Sequence, residues 1–158
     1  MINTFDVLKK IRPLSTDRLE DVGDILQYLL PWSALLAVAL MGDKQAAWNW
    51  FYSGSVTVII TFTGKFIFNF TSWGVRPNGE PYSFPSGHTS SAFMGAAFIH
   101  FQIGWMWAIV PYLLAVLTGY SRIRTRKHWL RDVITGAVLG VMVTYIFIVD
   151  LAFPPLSL

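Results

Sequence analysis

Residues Asp132 to Phe153 read DVITGAVLGVMVTYIFIVDLAF, and this stretch decides the class of fold. Between Asp132 and Asp150 it carries no charge. A helix of about 20 apolar residues is what the hydrocarbon core of a bilayer demands. The segment therefore reads as a membrane span, with Gly136 and Gly140 as a small-residue face for close helix packing.

Working back toward the N-terminus, the pattern repeats. A basic loop, residues 122–131, carries Arg122, Arg124, Arg126, Lys127 and Arg131. Before it lie spans at roughly Trp105 to Tyr120 and Ser86 to Ile103. Residues 71–87 hold Gly74, Pro77, Asn78, Gly79, Pro81, Pro85 and Gly87, which is loop chemistry. A further span runs from Trp48 to Phe70, broken only by Lys65, and a polar turn at Gly42 to Gln45 separates it from the first, Ile25 to Met41. Pro31 is expected to kink that first span. Asp17 and Glu20 form a capping pair ahead of it, and residues 1–16 suit a short helix lying in the interface. Trp48, Trp50, Trp105 and Trp107 fall at span ends, as in an interfacial aromatic belt.

The whole chain agrees. Of its 158 residues 54% are hydrophobic and 13% charged, with a mean hydropathy of +0.49. A soluble domain carries about 25% charged residues. The expectation is an all-α, polytopic transmembrane helix bundle of about five spans plus the N-terminal interfacial helix, forming a single domain over residues 1–158. No signal peptide is expected, and nothing points to nucleic acid. Cysteine is absent, which removes disulfides and thiolate chemistry. Two spans separate loop 71–87 from loop 121–131, so both open on one side of the membrane and can share a site.

Three polar segments stand out. Arg76-Pro77 is the first. Pro85-Ser86-Gly87-His88 precedes an apolar run, so it marks a helix N-terminus, where free N–H groups favour an anion. The third is Ser121-Arg122 followed by His128 and Asp132. His128 and Asp132 are spaced i, i+4, which on one helix face brings a carboxylate to an imidazole and leaves the other ring nitrogen as base or nucleophile. An Arg fork suits phosphate oxygens. Phosphoryl transfer needs such cations, an in-line nucleophile and a proton donor. The His, Asp and Glu residues are too scattered to suggest a metal site, and no cofactor is expected.

In order and spacing these segments resemble the type-2 phosphatidic acid phosphatase superfamily, which includes the vanadium haloperoxidases; the resemblance covers roughly residues 60–150, taken as the catalytic core. It implies that His128 attacks phosphorus and Asp132 orients it. It further implies that His88 protonates the leaving alcohol and then activates water, while Arg76, Arg122, Ser86 and Gly87 hold the phosphoryl group. The family's first Lys falls on Asn69 here, and Lys65 lies one turn earlier on the same helix face, so the two are candidates for that part of the phosphate site. The family core also has six spans rather than five. The implied function is metal-independent hydrolysis of a lipid phosphate monoester or pyrophosphate through a phosphohistidine. Alternatives are phosphoryl transfer between lipids and a catalytically silent lipid-phosphate binder. The implied setting is a bacterial cytoplasmic membrane with the site facing the periplasm or outside. Five spans then put Lys9, Lys10 and Arg12 on that same face, against the positive-inside rule.

Overall fold

The computed structural model describes residues 18–151. The expected interfacial helix at residues 1–16, and Asp17 of the capping pair, lie outside the described residues. Five α-helices follow in order: α1 (Arg18–Leu40), α2 (Lys44–Phe68), α3 (Gly87–Gln102), α4 (Trp105–Arg124) and α5 (Leu130–Tyr145), which runs on as a π-helical turn, Ile146–Asp150. Among the described residues there are four helices long and apolar enough to cross a membrane: α1, α2, α4 and α5 with its π turn. The remaining member of the expected five, α3, has 16 residues and packs against all four others at the centre of the bundle.

The bundle is apolar outside and finely mixed inside. Leu36, Ile59, Phe62, Leu113 and Met142 are exposed, whereas α2 turns Ala46, Asn49, Ser53, Thr57 and Thr61 inward. Such a surface is stable only against lipid, and small inward residues let helices approach closely. The chain is an integral membrane protein.

Gly136 and Gly140 have the expected role. A Cβ on Gly136 would stand 2.5 Å from the Ser86 carbonyl oxygen, and one on Gly140 would meet the Ser90 carbonyl, so α5 lies backbone to backbone on α3. Gly95 likewise admits the backbone of α1 at Leu30 and Pro31. Pro31 has no N–H to give Gln27, and the Ser91 hydroxyl of α3 donates to the Gln27 carbonyl instead, at 2.7 Å. The Pro31 carbonyl accepts from the Trp50 indole of α2, also at 2.7 Å. These two bonds tie α1 to its neighbours where water is scarce and an unpaired carbonyl costs several kcal/mol.

The basic loop is shorter than expected. α4 continues through Ser121, Arg122 and Arg124, which leaves residues 125–129 as the connection. Arg126 adopts φ 58°, and the Lys127 and His128 amides both donate to the Arg122 carbonyl, at 2.9 and 3.1 Å, turning the chain back sharply. This corrects the expectation that His128 and Asp132 share a helix face: His128 precedes the N-cap, Trp129, and α5 begins at Leu130. The two meet across the start of the helix. Asp43, read as part of a turn, is the N-cap of α2, accepting from the Ala46 amide at 2.9 Å.

Candidate active site

Loops 71–87 and 125–129 meet at one end of the bundle. The Trp129 indole donates to the Val75 carbonyl at 2.8 Å, and the Arg131 guanidinium lies 4.9 Å from the Trp73 ring centroid and 5.7 Å from that of Trp129. Asp132 is fully buried behind this contact. Its Oδ2 accepts from the Ser83 hydroxyl and from the Trp129 amide (3.0 Å), and its backbone carbonyl accepts from the Ser86 amide at 3.0 Å. One residue thus fixes the ends of both loops and the start of α3.

His128 Nδ1 stands 3.4 Å from Asp132 Oδ2, within ion-pair reach but outside hydrogen-bonding geometry. The ring is 3% exposed, and that burial, aided by the positive charges of Lys65 and Arg76, holds its pKa down to about 4 despite Asp132. The imidazole is therefore neutral at physiological pH, as a nucleophile must be.

Arg122, 2% exposed, is held at every nitrogen. Nε donates to Ser121 Oγ (3.0 Å), Nη2 to the Glu20 carbonyl (2.6 Å) and Nη1 to Asp24 Oδ1 (2.7 Å). Gly23 makes this possible, since a Cβ there would strike Arg122 Nη2 at 2.5 Å. His88, in the first turn of α3, places Nε2 2.9 Å from the same Asp24 oxygen. Arg76 pairs with Glu80 at 3.0 Å.

Two cavities meet here. A polar one of about 570 Å³ is lined by Asp24, Arg76, His88, Arg122, Lys127 and His128, among others. An apolar groove of about 580 Å³ runs from Lys65, Arg76, His88 and His128 along α1 and α2 to Trp32 and Trp50. Arg76, His88 and His128 belong to both.

Of the residues singled out in the sequence, Lys65, Arg76, Gly87, His88, Arg122 and His128 line one cavity or both. Asp132 stands behind His128. Ser86 and Asn69 line neither: the Ser86 hydroxyl is buried 2.9 Å from Thr89 Oγ1, and Asn69 Oδ1 accepts from the Tyr82 amide at 3.1 Å. Lys65 Nζ donates to the carbonyls of Tyr82 (2.8 Å) and Ser83 (3.3 Å), so it reaches the loop leading to the site. Sequence reasoning missed Asp24 and Ser83. The one available signal for Asp24 was a carboxylate directly abutting an apolar run. Among the described residues, no group of three or more His, Asp or Glu side chains converges to hold a metal ion.

A membrane-embedded helical bundle with two histidines, each within reach of a carboxylate, and an Arg-rich cavity at one end is the class these features define. A family model for the PAP2 superfamily matches residues 47–153, and the chain belongs to that superfamily. It is 30% identical over 153 residues to the lipid A 1-phosphatase of Porphyromonas gingivalis, covering 89% of this chain but 33% of that protein. The chain thus spans about a third of that relative's length. It is 27% identical to the lipid A 4'-phosphatase of Helicobacter pylori, over 82% of this chain and 69% of the relative. Similarity to an undecaprenyl-diphosphatase of Sulfolobus acidocaldarius, 37% identical, covers 50% of this chain and 39% of the relative. The fold is shared with the crystal structure of Aquifex aeolicus LpxE at a TM-score of 0.67 and 23% identity, over 91% of this chain and 92% of that one.

Proposed function

We propose that this protein hydrolyses the phosphate monoester or pyrophosphate of a membrane lipid through a phosphohistidine on His128. The observation that carries the reading is the junction of the two cavities at His128 and His88. A polar chamber for a headgroup opens there into an apolar groove that suits a hydrocarbon tail. Relatives named as lipid A phosphatases and an undecaprenyl-diphosphatase support the substrate class.

His128 Nε2 attacks phosphorus while Asp132 stabilises the charge that develops on the ring. The bond to the lipid oxygen breaks and His88 gives that oxygen a proton. Water then attacks the phosphohistidine, His88 takes up its proton, and orthophosphate leaves. Arg76, Arg122, Lys65 and the amides at Gly87 at the start of α3 hold the phosphoryl oxygens. Ser86 and Asn69 act behind them, by shaping α3 and the 71–87 loop. The chain lies in a bacterial cytoplasmic membrane with this end facing the periplasm or outside.

The test is phosphate release by the detergent-purified protein from lipid A, undecaprenyl diphosphate and phosphatidate. His128→Ala is expected to be inactive yet folded, and rapid quenching of the wild type is expected to trap acid-labile, base-stable phosphate. Near-normal turnover by His128→Ala would remove the proposal. A lipid acceptor that suppresses phosphate release in favour of a phosphorylated lipid would redefine the activity as transfer.

A further inference from the structure

We infer that Asp24 is the positioning residue for the proton donor His88, forming a second histidine–carboxylate pair that mirrors His128 and Asp132. The inference rests on the proposed phosphatase reading. Asp24 lies on α1, ahead of the segment that matches the family, residues 47–153. Its Oδ1 is 2.9 Å from His88 Nε2 and 2.7 Å from Arg122 Nη1, across 64 and 98 residues of sequence.

The chemistry asks for such a group. His88 is largely buried and shares its cavity with Arg122, and burial and that charge both oppose a proton on the ring while Asp24 favours one. Glu80 is bonded to Arg76 and Glu20 lies 3.7 Å from Lys127, which leaves Asp24 as the carboxylate that meets His88. A carboxylate at Nε2 steadies the imidazolium and fixes the ring, so Nδ1 becomes the nitrogen that serves the leaving oxygen. In the first step the Nδ1 proton passes to the lipid oxygen as the P–O bond breaks. In the second the same nitrogen takes a proton from the attacking water. Asp24 neither gains nor loses one.

Two esters separate this role from a merely structural one. An alkyl lipid phosphate has a leaving group that must be protonated, while a nitrophenyl phosphate bearing the same alkyl chain leaves as a stable phenolate. Loss of a general acid therefore harms the first ester far more than the second. Asp24→Asn is expected to lower kcat/KM at least about tenfold on the alkyl ester and less than about threefold on the nitrophenyl ester. His88→Ala should show the same selectivity, and Asp24→Asn added to it should cost little more. Equal losses on both esters would assign Asp24 to Arg122 and phosphate binding, and no loss on either would remove it from the site; each result overturns the inference. If Asp24→Asn does not fold, Asp24→Ser, which also lacks the carboxylate, carries the same comparison. Failure of wild-type protein to turn over either ester would instead sink the phosphatase reading, and this inference with it.

Discussion

Replacing Gly136 by Ala probes how far catalysis depends on the contact between α5 and α3. The added Cβ would lie 2.5 Å from the Ser86 carbonyl oxygen and 3.3 Å from both Ser90 N and Thr89 Cβ, and backbone cannot swing aside as a side chain does. Ordinary contact begins at 3.4 Å, so α5 must retreat by about 0.9 Å. That movement stretches the 3.0 Å bond from the Ser86 amide to the Asp132 carbonyl and separates the helix bearing His88 from the one bearing Asp132. Overpacking of this kind costs about 1–3 kcal/mol, and a misplacement of about 1 Å at a reacting centre costs about a hundredfold in rate. Thermal melting in detergent and phosphate release well below the melting temperature measure the two effects separately. Gly54→Ala is the control for melting, since its new Cβ meets only the terminal methyl of the Met94 side chain, at 3.1 Å, and no backbone. Gly136→Ala with unchanged melting and turnover would refute the idea that this backbone contact sets the active geometry.

Other consequences are open to measurement. His128 titrates near pH 4 when folded and at 6.5 in an unfolded chain, because burial resists its charge. The unfolded chain therefore takes up the proton first, so stability should fall as pH drops through this window, by about 3 kcal/mol in all. His128→Gln should reduce that dependence in melting curves between pH 4 and 7 without abolishing it, because burial lowers the pKa of His88 as well. Lys65→Ala should slow phosphate release at least about tenfold, or about 1.4 kcal/mol of transition-state stabilisation. Lys65→Gln, whose neutral amide still offers N–H donors toward the 82 and 83 carbonyls, should be nearly as slow; full activity in Lys65→Gln would make Lys65 a loop anchor. Ser83→Ala removes one of two bonded donors to Asp132 Oδ2 and should lower the melting temperature and turnover together. Unchanged values in both assays would count against that support.

The composition and the apolar runs made the helices legible, and the small-residue face at Gly136 and Gly140 told where α5 packs. Helix ends were harder to place. Ser121 and Arg122 look like loop beside Arg124, Arg126 and Lys127, yet their backbone continues α4, because polar residues at a membrane interface do not have to leave a helix. The meeting of His128 and Asp132 was foreseen but its route was not, since i, i+4 spacing also suits a chain reversal that ends at a helix start. Asp24 was unreadable for a different reason. Its partners are 64 and 98 residues away, and its place against the apolar run does not say what it would meet there. Pro31 announced a kink, but the hydroxyl that compensates for it belongs to another helix.

That last bond bears on how the protein is made. When α1 leaves the translocation channel, its Gln27 carbonyl has no amide to satisfy it, and Ser91 has yet to be synthesised, 64 residues downstream. Until α3 arrives, α1 is an incomplete span whose flaw keeps it near water, the insertion machinery or a temporary polar partner. Arrival of α3 removes the flaw and, in the same step, brings Asp24 to His88. Seating of α1 and the pairing of Asp24 with His88 are therefore linked, ahead of Arg122, His128 and Asp132, which follow on later elements, and a change at Ser91 should appear as a defect in biogenesis as well as in rate.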